Sequence, residues 1–331
     1  MTSAKFLVLG SNSFSGAAFC AYLAQNGHEV IGTSRSQEPH EAFLPYKWHD
    51  FKESIRFVQI DINHDLDRLK QLLSDEKPTH IVNFAAQSMV GESWENPDHW
   101  MMTNVVSTVR LHEVLRRYDR LERYVHVTTP EVYGSTSGWV KEDTVFNPST
   151  PYAVSRAAGD MSLKTYFETY DFPVLFTRAA NVYGPGQQLY RIIPRTIFAA
   201  MTGQKLRLDG GGKSVRVFIH MTDVCDATMR IALKGTIGQT YHISGYDLVS
   251  IRECVDVILG LLSESFEDYV ELGPERPGKD AAYTLDSAKI RNELGWVDKI
   301  KLKDGIADVI NWMERYKNAL PNLPSRYIHK A

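Results

Sequence analysis

Short, unbroken apolar runs alternate with helical patterns through the first half of the chain. Phe6-Leu7-Val8-Leu9 is the first run, and the small-residue turn Gly10-Ser11-Asn12-Ser13 follows it. A helix pattern then carries Phe14, Ala17, Ala18, Tyr22 and Leu23. His28-Glu29-Val30-Ile31-Gly32 predicts a second strand and Phe57-Val58-Gln59-Ile60 a third. His80-Ile81-Val82-Asn83-Phe84 predicts a fourth, Tyr124-Val125-His126-Val127 a fifth and Pro173-Val174-Leu175-Phe176 a sixth. A long helix pattern, roughly Asp98 to Tyr118, lies between the fourth and the fifth. Strands that are apolar throughout are buried on both faces, and their alternation with helices predicts βαβ units. The expected class is α/β, with a doubly wound parallel sheet.

After about residue 184 the pattern changes. Gly184-Pro185-Gly186 and Asp209-Gly210-Gly211-Gly212 break the chain, and the segments become shorter and less regular. This predicts a smaller, loop-rich C-terminal portion over the sheet edge. Residues 1–184 form the expected cofactor unit, to which a segment at about 215–245 returns. Residues 185–331 are expected mainly to bind substrate. The tail from Pro321 to Ala331 reads as a surface extension.

Composition narrows the function classes without choosing one. The 331 residues carry 37 Lys plus Arg against 40 Asp plus Glu, a net charge of −3. That balance argues against a nucleic-acid binder, which carries a basic stripe. No apolar run approaches the ~18 residues that span a bilayer, and no secretory leader is evident at Met1-Thr2-Ser3-Ala4-Lys5. Cys20, Cys225 and Cys254 are scattered, as in a protein of a reducing compartment. A cytoplasmic location is expected. The eleven histidines show no metal-ligand spacing, so no metal is expected.

Gly10-Ser11-Asn12-Ser13-Phe14-Ser15-Gly16 lies between a predicted strand and a predicted helix. In that context Gly10 permits a tight turn, and Gly16 permits close helix–strand packing. The amides at the helix start, around Ser13 and Phe14, face a pyrophosphate, as in a Rossmann dinucleotide site. Ser13 stands where a third glycine would be expected. An acid after the second strand would bind the ribose hydroxyl of NAD, whereas an Arg accommodates the phosphate of NADP. Thr33-Ser34-Arg35-Ser36 has no acid, so Arg35 favours NADP over NAD.

Three further stretches carry chemistry: Asn83-Phe84-Ala85-Ala86-Gln87-Ser88, Val127-Thr128-Thr129-Pro130-Glu131-Val132-Tyr133-Gly134, and Pro151-Tyr152-Ala153-Val154-Ser155-Arg156. With Arg178-Ala179-Ala180-Asn181, Arg216-Val217-Phe218 and Glu275-Arg276-Pro277-Gly278, they make nearly the whole chain resemble the extended short-chain dehydrogenase/reductase family. The likeness is to its nucleotide-sugar epimerases and dehydratases, above all the sugar-nucleotide 4,6-dehydratases.

The resemblance implies roles. Tyr152 is the base that takes the sugar hydroxyl proton, and Thr129 hydrogen-bonds the sugar oxygen. Arg156 stands where the family has the Lys of YxxxK. The i, i+4 spacing puts it on the helix face of Tyr152, although the planar Arg is not a conservative replacement. Glu131 is placed to remove the C5 proton once C4 is a ketone. Pro130, where the dehydratases carry an acid or a small polar residue, cannot protonate a leaving hydroxyl. Asp61 and Ile62 resemble adenine contacts, and Ala85 and Ala86 complete the cofactor set. Asn181 resembles the residue that holds the sugar or its phosphate, Ser88 joins the expected substrate-binding set, and Arg216 and Arg276 resemble a clamp on a nucleotide diphosphate.

The expected function is therefore a nucleotide-sugar 4,6-dehydratase. A C4 epimerase or a decarboxylase remains open, as does a non-catalytic nucleotide-binding protein. The implied partner is a nucleotide-diphosphate sugar, and the implied assembly a homodimer through the helix at Asp98–Tyr118 and the one after Tyr152.

Overall fold

The computed structural model describes residues 3–48, 54–274 and 284–330. The first part runs β1 (Lys5–Leu9), α1 (Phe14–Gln25), β2 (Glu29–Ser34), β3 (Ile55–Gln59), α2 (Leu66–Glu76) and β4 (His80–Asn83). It continues with α3 (Pro97–Met101), α4 (Thr108–Arg116), β5 (Arg123–Thr128), β6 (Trp139–Val140), α5 (Pro151–Tyr170) and β7 (Val174–Ala179). Next come β8 (Asn181–Tyr183), α6 (Ile192–Thr202), β9 (Leu206–Asp209), β10 (Val215–His220), α7 (Met221–Lys234) and β11 (Thr240–Ile243). The chain closes with β12 (Leu248–Ser250), α8 (Ile251–Leu261), α9 (Phe266–Tyr269), β13 (Val270–Gly273), β14 (Thr284–Leu285), α10 (Ala288–Leu294) and α11 (Leu302–Arg315).

Seven strands form one parallel sheet in the order β11-β7-β5-β4-β1-β2-β3. The order reverses beside β1, where a doubly wound sheet opens a crevice at its strand ends. Successive side chains of a strand point to opposite faces. Phe6 and Val8 accordingly join one buried cluster with Phe19, Val125 and Tyr241, while Leu7 and Leu9 join another with Ile81, Tyr124 and Val174. Each fully buried large apolar side chain contributes about 1.5–3 kcal/mol. The six strands predicted from apolar runs all form, and β11 adds a seventh.

The C-terminal half is more helical than its broken pattern suggested. Gly and Pro mark its turns, but amphipathic helices lie between them. Ser250 starts α8 with a reciprocal capping box to Glu253. Tyr183, Ile193, Ile258 and Trp312 build a separate core there. The long helix pattern at Asp98–Tyr118 also differs in detail, because Met102–Ser107 winds as a π-helix between α3 and α4. Among the described residues no helix is long and apolar enough to cross a membrane.

Candidate active site

The glycine turn and the end of β4 meet at the crevice. Gly10 has φ +81°, and a Cβ there would lie 2.7 Å from the Ala85 amide nitrogen. A Cβ on Gly16 would lie 2.3 Å from the Gly10 carbonyl oxygen. Both positions therefore require glycine. Ser13 is the N-cap of α1, and its Oγ accepts from the Gly16 amide at 3.0 Å. A serine at this position thus starts the helix where a glycine would only have left room.

A cavity of about 310 Å³ opens beside this turn. Gly10, Ser13, Arg35, Asp61, Ile62, Ala85, Ala86 and Ser88 line it. Phe14 instead packs into the core, and Gly16 is buried beneath the turn. Asn83 is buried behind Ala85, accepting from the Ala85 amide at 2.9 Å and donating to the Tyr124 hydroxyl at 2.9 Å. The cradle that side chains would fill, the open N-terminus of α1 and the Arg35 corner fit a nicotinamide dinucleotide.

Thr129, Glu131, Tyr152 and Arg156 come together at the ends of β5 and α5. Thr150 caps α5 through the Ala153 amide, and Pro151 occupies the first helical position, where a missing N–H costs nothing. Tyr152 is thereby fixed in the first turn, 8% exposed. Thr129 Oγ1 accepts from the Glu131 amide at 3.2 Å and also shares a hydrogen bond with the Tyr152 side chain. Pro130 again holds the first position of a short 3-10 turn, Pro130–Tyr133. Burial pushes the Tyr152 phenol above its ordinary pKa, and the Glu131 carboxylate adds to that. Arg156 opposes it, with help from Thr129 and Arg191. Arg156 is buried, and its guanidinium donates to the Val127 carbonyl.

Asn181 and Arg216 lie on β8 and β10 of a separate sheet. Their side chains donate to the carbonyls of Val217 and Val215, and neither hydrogen-bonds to the Tyr152 group. Arg276 lies outside the described residues.

Two residues that the sequence did not single out belong here. Arg191, the exposed N-cap of α6, acts electrostatically on Tyr152 and lies over the Tyr190 ring. Asn104, in the π-helical stretch, exchanges two 2.9 Å bonds with the Gln87 backbone and donates to Ser155 Oγ at 2.9 Å. Ser155 in turn donates to the Tyr152 carbonyl at 2.7 Å. The π winding, a frequent mark of functional sites, was the available signal, but it is invisible to apolar periodicity. Among the described residues no group of three His, Cys, Asp or Glu is arranged to hold a metal.

Below the site, Arg178 and Asp160 form a buried ion pair at 2.8 Å. Arg178 also donates to the Tyr133 hydroxyl at 2.5 Å, and Tyr133 meets His242 at 2.7 Å. This network ties β7 and α5 to the loop that carries Glu131.

Comparison with known proteins follows the same lines. The model of a family described as GDP-mannose 4,6 dehydratase matches residues 7–309. A dTDP-glucose 4,6-dehydratase of Xanthomonas campestris is 35% identical over 327 residues, 93% of each chain. The structure of a dTDP-glucose 4,6-dehydratase of Bacillus anthracis, solved with NAD, superposes with a TM-score of 0.85 at 31% identity, covering 96% of this chain and 98% of that one. A UDP-glucuronic acid 4-epimerase of Bacillus cereus, solved with UDP-glucuronic acid and NAD, superposes at 0.83 with 25% identity, over 94% and 99%.

Proposed function

This chain belongs to the family described as GDP-mannose 4,6 dehydratase, within the extended short-chain dehydrogenases/reductases, and on that premise we propose that it is a nucleotide-sugar 4,6-dehydratase. The observation that carries the reading is the cluster of Thr129, Glu131 and Arg156 around the Tyr152 phenol. The Gly10 turn and the Arg35 corner would hold a nicotinamide dinucleotide, which would supply the acceptor for the C4 hydride and its donor to C6. The Arg35 corner, with no acid among Thr33-Ser34-Arg35-Ser36, supports NADP over NAD.

The chain's own residues then have defined tasks. Tyr152, as phenolate, takes the proton of the C4 hydroxyl, and Thr129 donates a hydrogen bond to that oxygen. Arg156 lowers the cost of the phenolate from below. Once C4 is a ketone, the C5 proton is acidic and Glu131 accepts it. The C6 hydroxyl leaves as water, protonated by Glu131 or by a water, since Pro130 has no acid, and C5 takes a proton back from Tyr152 or a water as C6 receives the hydride. Asn181 holds the sugar side, and Arg216, Arg276 and Arg191 bind the diphosphate. The relatives named for dTDP-glucose support a nucleotide-diphosphate sugar as the substrate class.

The division of labour assigns residues 1–184 and about 215–245 to the cofactor, and 185–331 mainly to substrate. Exposed Met102 and Val106 on one helical path, with Val154 and Met161 on α5, support a homodimer through those helices.

Mass spectrometry of products from dTDP-, GDP- and UDP-sugars tests the reading. Loss of one water and a 4-keto-6-deoxy product are expected from at least one of them. Products that keep the C6 hydroxyl across the panel overturn it. Inversion at C4 alone would support the second reading, a C4 epimerase, which Pro130 and the epimerase neighbour favour.

A further inference from the structure

The C-terminal tail has no regular structure beyond Leu320–Asn322, yet it does not drift over the surface. Its last described residues cross the dinucleotide groove and are pinned on both sides. The His329 ring stacks on Trp100 at 5.2 Å and meets His99 Nδ1 at 2.8 Å. Tyr327 packs edge-on against Tyr190, and its hydroxyl meets His329 at 3.3 Å. The Lys330 carbonyl accepts from Gln87 Nε2 at 2.6 Å and from the Arg35 guanidinium at 3.1 Å. The Lys330 ammonium donates to Ser36 Oγ at 3.1 Å.

Two features distinguish this from a tail that merely blocks the groove. Tyr327, Ile328 and Lys330 line the cavity together with Gly10, Asp61 and Ala85, so they wall it and leave its interior open. The charge that the strap brings matches that of the loop it meets. Arg35 and Lys330 converge on the loop after β2, and Ser36 adds a hydroxyl. The acids nearby are engaged elsewhere: Glu38 binds Tyr46 and Lys47 at 2.7 and 2.6 Å, and Asp61 accepts from the Asn63 amide. A ribose hydroxyl beside Arg35 and Ser36 would meet donors, while Asp61, the acid on the cavity wall, stands after β3 and accepts from the Asn63 amide. A phosphate monoester, close to doubly charged at neutral pH, would meet a guanidinium, an ammonium and a hydroxyl.

We propose that Tyr327–Lys330 is a strap that completes the dinucleotide groove, with Lys330 acting beside Arg35 and Ser36 as a recognition residue for the ribose phosphate of NADP. The inference rests on the reading of the groove as a nicotinamide-dinucleotide site. It adds a specificity determinant more than three hundred residues downstream of the glycine turn.

Binding of NADPH and NADH, followed by fluorescence titration of the full chain and its variants, tests this without turnover. Lys330→Ala is expected to weaken NADPH about tenfold and NADH by less than about twofold, and Lys330→Arg to retain NADPH binding. The NADPH preference of the full chain should shrink with salt, as a partly exposed charge contact does. Truncation after Arg326 should weaken both dinucleotides. Tighter binding after truncation would make the tail a blocker and overturn the strap. Equal effects of Lys330→Ala on both dinucleotides, or none on either, would overturn the phosphate contact. A full chain that binds neither dinucleotide would overturn the reading of the groove itself.

Discussion

The Arg156 guanidinium donates to the carbonyl of Val127, so this cation of α5 is tied to strand β5 as well as lying close to Tyr152. A lysine in its place would bring one compact charge. The planar guanidinium brings several donors and can serve the strand and the phenol together. Arg156→Ala should therefore raise the phenol further and move the alkaline rise of the pH–rate profile upward. The rate at neutral pH should fall about tenfold for every pH unit by which that rise moves. The variant should also lose about 1–3 kcal/mol of stability by orphaning the Val127 carbonyl. Arg156→Lys should restore the pH profile more fully than the stability. A profile that does not move in Arg156→Ala would exclude the electrostatic role.

In the proposed reaction Glu131 and Tyr152 divide the chemistry between two proton transfers. Tyr152→Phe should abolish both steps. Glu131→Gln should leave oxidation at C4 intact and lose elimination by about 10²–10⁴-fold, the ordinary worth of a positioned base. Rapid-scan absorbance with a turned-over sugar nucleotide separates the two: the Gln variant should accumulate reduced cofactor. Normal water loss in that variant would remove Glu131 from the mechanism.

Much of this arrangement was legible in the residues. Continuous apolar runs such as Phe6–Leu9 and Val174–Phe176, bounded by turns and alternating with helical patterns, read as doubly buried strands, and the Thr129, Glu131 and Tyr152 spacing travels with the strand and helix ends that hold it. The strand Thr240–Ile243 was less clear, because Tyr241 and His242 are buried through partners distant in sequence. The π winding around Asn104 leaves no trace in apolar periodicity. The tail, expected as a surface extension, is held by ring stacking and a backbone carbonyl, and neither has a sequence pattern.

The buried pair Arg178–Asp160 supports the loop that carries Glu131 from below, and both side chains are 2% exposed. Removing one partner leaves an uncompensated charge, so Asp160→Ala should cost about 3–5 kcal/mol in urea unfolding. Removing both with apolar residues of similar volume, Asp160→Leu with Arg178→Met, should recover part of that loss, because neither charge is then stranded. A double variant as unstable as the sum of the single ones would mean that the two side chains act independently.

Acid sensitivity should come first from four histidines. Burial pushes His112 and His242 down to about 3 and His220 to about 4, and holds His126 well below its ordinary value. An unfolded histidine takes up its proton near pH ~6.5. Above that pH both states are neutral and the full stability is present. As pH falls from there towards the folded values, the unfolded chain binds protons that the folded chain refuses. Each histidine then removes up to about 1.4 kcal/mol per pH unit. Glu113, held at about 2 by Arg116 and Tyr166, loses its contribution only at lower pH, between the ordinary carboxylate range and about 2. Urea midpoints should therefore begin to fall just below pH ~6.5, before the carboxylates titrate. His112, whose lowered pKa comes from burial alone, is the cleanest probe. In His112→Gln the slope below pH ~6.5 should lessen by about one proton, and an unchanged slope would remove His112 from the account.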